Sequence, residues 1–170
     1  MFTWYSGPGV RSLASLQHCP QLEAAATTAE FDPSFLQKSL ANHADARIVL
    51  VRGPWGSGKT SSIMSMLADH IAGRVSLGRG IPQGDAVRIL FVSYRRSLVR
   101  KLQADAALHA IPNVMLYSDQ ASGFLTAPRL AIQIDSLWRV RGEYDIVLFD
   151  EISSICRQLE SGHIAHHTRR

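Results

Sequence analysis

From Arg47 onward the apolar residues fall into short blocks of strand length, separated by stretches in which they return every three or four positions. Unalternating blocks of Val, Ile, Leu and Phe are what strands covered on both faces require, and the intervening spacing is that of amphipathic helices. The pattern predicts five strands: Ile48 to Arg52, Val87 to Ser93, Val114 to Tyr117, Leu130 to Ile134 and Ile146 to Phe149. It predicts a helix over Lys59 to Ala72, with Ile63, Met64, Met66 and Leu67 on its apolar face, and another over Ser97 to Leu108, where Leu98, Leu102 and Ala106 recur at helical spacing. Gly73, Gly78, Gly80, Pro82 and Gly84 mark the loop that follows the first of these helices. Strands alternating with helices define an α/β class with a mostly parallel sheet and helices on both faces. Residues 1–45 lack this rhythm and read as a lead-in with one helix from Ser34 to Asn42, residues 46–160 as the folded lobe, and residues 161–170 as an exposed tail. The tail histidines His163, His166 and His167 lack the partners of a metal site.

The chemistry enters at Gly53-Pro54-Trp55-Gly56-Ser57-Gly58-Lys59-Thr60, which fits GxxxxGK[ST] at every fixed position and lies between a predicted strand and a predicted helix. Such a loop wraps phosphate oxygens with inward-pointing backbone N–H groups, so Gly56 and Gly58 leave the approach clear, and Gly53 and Ser57 belong to the same expected cofactor-binding set. The helix that starts at Lys59 directs its positive end at the same anion, the Lys59 ammonium reaches the terminal phosphates, and the Thr60 hydroxyl suits Mg²⁺. Trp55 either covers a nucleotide or packs outward. A phosphate loop also needs an acid at the end of a neighbouring strand, and Ile146 to Phe149 delivers Asp150-Glu151 there. Asp150 is then expected to hold the metal through water and Glu151 to polarise the attacking water as general base, which points to hydrolysis of a nucleoside triphosphate.

Composition and charge narrow the setting. With 46% apolar and 19% charged residues in 170, the chain reads as one folded domain rather than a disordered tail. Two cysteines, Cys19 and Cys156, do not make a disulfide framework and are expected to be buried thiols in a reducing compartment. The N-terminus lacks the pattern of a secretory signal and no apolar run is long enough to span a bilayer, so a soluble, intracellular protein without membrane contact is expected. Basic residues outnumber acidic ones by 18 to 14, and almost all of them are arginine. Arg88, Arg95, Arg96, Arg100 and Lys101 form a run without an acid, and arginine forks suit phosphate.

Two further segments give that run a direction. Ser93-Tyr94-Arg95-Arg96-Ser97-Leu98 ends one strand with a hydroxyl, an aromatic and two arginines, and Gln133-Ile134-Asp135-Ser136-Leu137 places polar side chains at the end of another. Together with the phosphate loop and Asp150-Glu151, in this order, they resemble the first, RecA-like motor lobe of superfamily 2 helicases, and most closely the herpesvirus-type replication origin-binding helicase family. The resemblance covers about Arg47 to Glu160 and rests for its finer part on the SYRRSL, QIDSL and DEISS stretches. It implies that Gly53, Gly56, Ser57, Gly58, Lys59, Thr60, Asp150 and Glu151 bind and hydrolyse Mg-ATP, with Thr60 and Asp150 on the metal. It implies also that Ser93, Arg95, Arg96, Gln133 and Ser136 touch a DNA backbone, that the activity is coupled to DNA unwinding in replication, and that the protein works where the genome is replicated, such as the nucleus.

The match also has a boundary. Helicases of this superfamily need a second lobe that supplies an arginine finger, worth about 10³ to 10⁵ in rate. No Ser-Ala-Thr coupling motif follows Glu151, and the chain ends soon after. The expectation is therefore a fragment that binds nucleotide and turns it over weakly unless a partner provides the missing lobe or other replication proteins join it. Two alternatives stand beside it. One is a truncated module that holds Mg-ATP or single-stranded DNA without productive hydrolysis. The other is a small-molecule kinase, with Arg74 and Arg79 as a lid, against which the Asp-Glu pair argues.

Overall fold

The computed structural model describes residues 2–5, 48–51, 56–78, 80–120 and 123–160. Its centre is a parallel sheet of four strands: β3 (Ile89–Ser93), β4 (Met115–Leu116), β5 (Arg129–Gln133) and β6 (Ile146–Phe149), in the order β4-β5-β3-β6. Strand β3 pairs with β5 from Ile89↔Arg129 to Ser93↔Gln133, and with β6 from Ile89↔Ile146 to Val92↔Phe149. All five residues of β3 are buried, which is why its sequence reads as an unbroken apolar block. Phe91, Ile89, Leu130 and Ile132 fill the middle of the core, and burying side chains of this size contributes about 1.5 to 3 kcal/mol each.

Helix α1 (Lys59–Ile71) inserts Met64 and Leu67 into that core, and helix α2 (Arg96–Leu108) inserts Val99, Leu102 and Ala106. These are the i, i+3 and i+7 faces that helical spacing requires. A third helix, α3 (Ile152–Glu160), follows β6 and buries Ile155. The α/β class with a parallel sheet is thus as the sequence pattern predicts, and the arrangement is consistent with a RecA-like domain.

Besides shifts of one or two residues at the ends of β3, β4, α1 and α2, four details differ. The strand before the phosphate loop, β2 (Ile48–Val51), does not join the parallel sheet; it pairs antiparallel with β1 (Phe2–Tyr5), from Phe2↔Val51 to Tyr5↔Ile48. Phe-Thr-Trp-Tyr is a good strand sequence, yet its partner lies more than forty positions away, a distance at which local pattern carries no information. Strand β5 begins one residue early, at Arg129, a charged residue that reads as a boundary but is buried. Its guanidinium donates to the carbonyls of Pro112 (3.1 Å) and Gly84 (3.0 Å) and makes a 3.4 Å contact with Asp85. Residues Ile134–Arg139 form a 3-10 segment where a strand end was expected. Strand β6 is covered on one face only, for Val147 and Phe149 are each 44% exposed while Ile146 and Leu148 are half-buried.

The expected helix from Ser34 to Asn42, the tail histidines, Cys19 and Arg79 lie outside the described residues. Cys156 is a free, half-buried thiol rather than a fully buried one. No helix among the described residues is long and apolar enough to cross a membrane.

Candidate nucleotide and DNA site

The turn into α1 has the backbone that its glycines permit. Gly56 and Gly58 sit at φ +75° and +78°, in the left-handed region that side chains disfavour, and among the described residues nothing beyond their chain neighbours lies within 4 Å of a Cβ added at either. The glycines are therefore required by dihedral angle. Gly53 lies outside the described residues. Helix α1 has no side-chain cap and no acid in its first turn, so its amino end keeps the positive potential that favours an anion.

At that end the Thr60 hydroxyl donates to Asp150 Oδ1 at 3.2 Å. Asp150 is held there by the sheet, since its N–H donates to the Val92 carbonyl at 2.9 Å and continues the β3–β6 ladder. Partial burial pushes the Asp150 carboxyl above its usual range; the Thr60 hydrogen bond and the charges of Lys101 and Lys59 pull it back, and Asp105 adds to the rise. Glu151, next along, is exposed and takes φ +59°. Its carbonyl accepts the N–H groups of Ser154 and Ile155, which opens α3 and accounts for the turn.

Among the described residues no three His, Cys, Asp or Glu side chains converge on a point. Mg²⁺ bound beside phosphates draws one or two oxygen ligands from a protein and the rest from phosphate and water. The Thr60 hydroxyl and the Asp150 carboxylate, 3.2 Å apart beside the glycine turn, fit such an ion in donor type and position.

Along the same rim the segment after β3 divides. Ser93 is fully buried and its hydroxyl has no hydrogen-bond partner among the described residues, so it is not on the surface where a phosphate contact was expected. Arg95 and Arg96 are exposed, and Arg95 lies over the Tyr94 ring at 5.0 Å. Gln133 is half-buried and engaged within the protein: it accepts the Tyr117 hydroxyl (3.0 Å) and donates to the Tyr94 carbonyl and to Asp135, each at 3.1 Å. It ties the end of β5 to the end of β3. Ser136 is half-buried in the 3-10 segment that follows.

The basic run also splits. The Arg88 guanidinium donates to the carbonyls of Glu143 (2.7 Å) and Thr126 (3.1 Å) and lies over Tyr144, and the Arg88 backbone N–H donates to Asp145 Oδ2 (2.7 Å), all at the amino end of β3. Lys101 pairs with Asp105 at 3.1 Å. Arg95, Arg96 and Arg100 are left exposed at the start of α2. Arg74 donates twice to Asp69, at 2.8 and 2.6 Å, and so is engaged away from a lid role.

Sequence reasoning missed one contributor. Lys101, Asp105 and His109 follow one another at four-residue spacing on α2 and its cap. Lys101 and Asp105 are near enough to act on Asp150, and His109 Nε2 meets the Ser61 hydroxyl at 2.9 Å. Helical spacing in the sequence marks the stripe, but nothing in the sequence says what it faces.

The fold and site define an α/β protein whose parallel sheet gathers a glycine turn, a hydroxyl–carboxylate pair and an arginine-rich helix start at its carboxyl end. The chain belongs to the family described as origin of replication binding protein, whose model matches residues 24–169. It is similar to the replication origin-binding protein of bovine herpesvirus 1.1 (strain Cooper), 37% identical over 126 residues that make up 69% of this chain and 13% of that protein. The protein of the same name from equine herpesvirus 1 (strain Ab4p) is 33% identical over 132 residues, 74% of this chain and 14% of its own length. That of varicella-zoster virus (strain Dumas) is 31% identical over 121 residues, 67% and 13% of the two chains. The chain thus matches 13% to 14% of the length of these relatives. No solved structure matches the chain.

Proposed function

We propose that this chain is the ATP-binding first motor lobe of a DNA helicase of the replication origin-binding type, acting in DNA replication at the site of genome replication. The observation that carries the reading is the Thr60–Asp150 contact, which joins the end of the glycine loop to the acid after β6 across ninety residues of sequence. The names of the relatives support the place in replication, since each is called a replication origin-binding protein.

In this reading the amides of Gly56, Ser57 and Gly58, with Gly53 before them, receive the phosphates, and Lys59 neutralises their outer charge. Thr60 and Asp150 hold Mg²⁺, which supplies charge neutralisation at the phosphates when bound. Glu151 orients a water and takes its proton. Arg95 and Arg96 contact DNA phosphates, joined by Ser136, while Gln133 keeps that segment in place. A second lobe, from a longer polypeptide or a partner, completes turnover.

The test is ATP binding and hydrolysis by the purified chain, with and without single-stranded DNA, beside Lys59→Ala and Glu151→Gln. Expected is Mg-dependent ATP binding that Lys59→Ala weakens by about 10- to 100-fold, the loss of a charge-assisted contact. Glu151→Gln should bind ATP normally and lose turnover. Binding that DNA never converts into turnover, even with a second lobe supplied, would reassign the chain to a nucleotide-holding module.

A further inference from the structure

The orphaned Ser93 hydroxyl lies in a row that crosses three strands. Ser93 is in register with Gln133 on β5. The register of β3 with β6 reaches Val92↔Phe149, and the Asp150 N–H···O=C Val92 bond carries the ladder one step further, which sets Asp150 beside Ser93. Residues in register on parallel strands share a face, so Gln133, Ser93 and Asp150 stand on the same side of the sheet at its carboxyl end. Burial agrees, because Ile146, Leu148 and Asp150 are covered while Val147 and Phe149 are exposed.

Of the two neighbours, Gln133 has its carbonyl and amide groups engaged with Tyr117, Tyr94 and Asp135. Asp150 accepts a side-chain hydrogen bond from the Thr60 hydroxyl. A buried hydroxyl with no partner is costly, and such groups persist in folded proteins mainly where another state uses them. Strands lie about 4.8 Å apart, so one rotation about χ1 of Ser93 or Asp150 brings hydroxyl and carboxylate into reach.

We propose that Ser93 is a positioning residue for the nucleotide site: when Thr60 turns from Asp150 toward Mg-nucleotide, the Ser93 hydroxyl takes its place and donates to the Asp150 carboxylate. This rests on the nucleotide-binding reading above. The hydroxyl holds the carboxylate in its metal-facing position, and it belongs to the strand that continues into Arg95 and Arg96.

The experiment uses the whole chain with Ser93→Ala and with Ser93→Cys, which keeps nearly the same volume and replaces the hydroxyl by a weak donor. Two quantities are measured: the melting temperature without nucleotide, and the affinity for a fluorescent ADP with Mg²⁺ and with EDTA. Expected for Ser93→Ala is a melting temperature unchanged or raised by about 2 to 4 °C, because an unsatisfied buried group is gone. Affinity with Mg²⁺ should fall about tenfold, as for a lost hydrogen bond to a charged group, while affinity in EDTA stays as in the wild type. Ser93→Cys should behave like Ser93→Ala in binding. Mg-dependent affinity equal to the wild type in both variants overturns the proposal and leaves the nucleotide reading standing. A clear drop in melting temperature of the nucleotide-free Ser93→Ala chain also overturns it, since the hydroxyl would then already have a partner. A wild-type chain that binds no nucleotide overturns both.

Discussion

The Thr60 hydroxyl and Asp150 Oδ1 stand 3.2 Å apart although ninety residues separate them in the chain. One begins helix α1, the other ends strand β6, and the contact closes the glycine loop onto the acidic pair. Without it the two motifs would be neighbours only by analogy. Partial burial of Asp150, only partly offset by this contact, also sets a dependence on pH.

Asp150→Asn should raise the stability of the nucleotide-free chain at neutral pH. Burial lifts the folded-state pKa of Asp150, so the folded chain keeps its proton to higher pH than the unfolded one. The resulting penalty is full above the raised pKa and disappears as pH falls through it to the ordinary aspartate value. Denaturant melts of wild type and variant should therefore differ most at neutral pH and converge in acid, while the variant loses Mg-dependent nucleotide binding. A gap that widens on acidification would contradict the burial argument.

Glu151→Gly separates strain from chemistry. Glu151 holds φ +59°, a conformation that costs a residue with a side chain about 1 to 3 kcal/mol and costs glycine little. The variant should be as stable as the wild type or more so by urea denaturation, and inactive in ATP hydrolysis. Lower stability would mean that the side chain, which is exposed, makes a contact of real worth.

Arg95→Ala and Arg96→Ala should each weaken single-stranded DNA binding and reduce its salt slope by about one counterion, with stability unchanged. Arg88→Ala should do the reverse, because Arg88 donates to two backbone carbonyls at the far end of β3. Binding isotherms across a salt series, read beside melting curves, distinguish the two kinds of arginine. Equal effects of all three on DNA would place the interface elsewhere.

Arg129→Met keeps the length of the side chain and removes its donors. The carbonyls of Pro112 and Gly84 would then be left without them in a buried setting, at a cost of about 2 kcal/mol or more. Chemical denaturation should show that loss with nucleotide and DNA affinity intact in the fraction that folds. An unchanged midpoint would mean that water satisfies these carbonyls.

The local chemistry of the chain was enough to place most of what matters. The GxxxxGKT run, the strand blocks expected at Val87 to Ser93 and Ile146 to Phe149, and the helices expected from Lys59 and Ser97 are written in spacing to within two residues, because φ preference and side-chain periodicity act within a few residues. Pairing and burial act between distant residues. Local pattern therefore could not show that β2 would pair with Phe2–Tyr5, that Arg129 would be buried or that β6 would leave Val147 and Phe149 open. It also could not divide the basic run into Arg88, a structural clamp, and Arg95 with Arg96, an exposed pair. Ser93 is the clearest case: as a polar strand end it reads as surface, and only the row formed by Gln133, Ser93 and Asp150 in the assembled sheet puts its hydroxyl inside. A sequence specifies which groups a strand carries, but the neighbours on either side of the sheet decide which of them meet water and which meet each other.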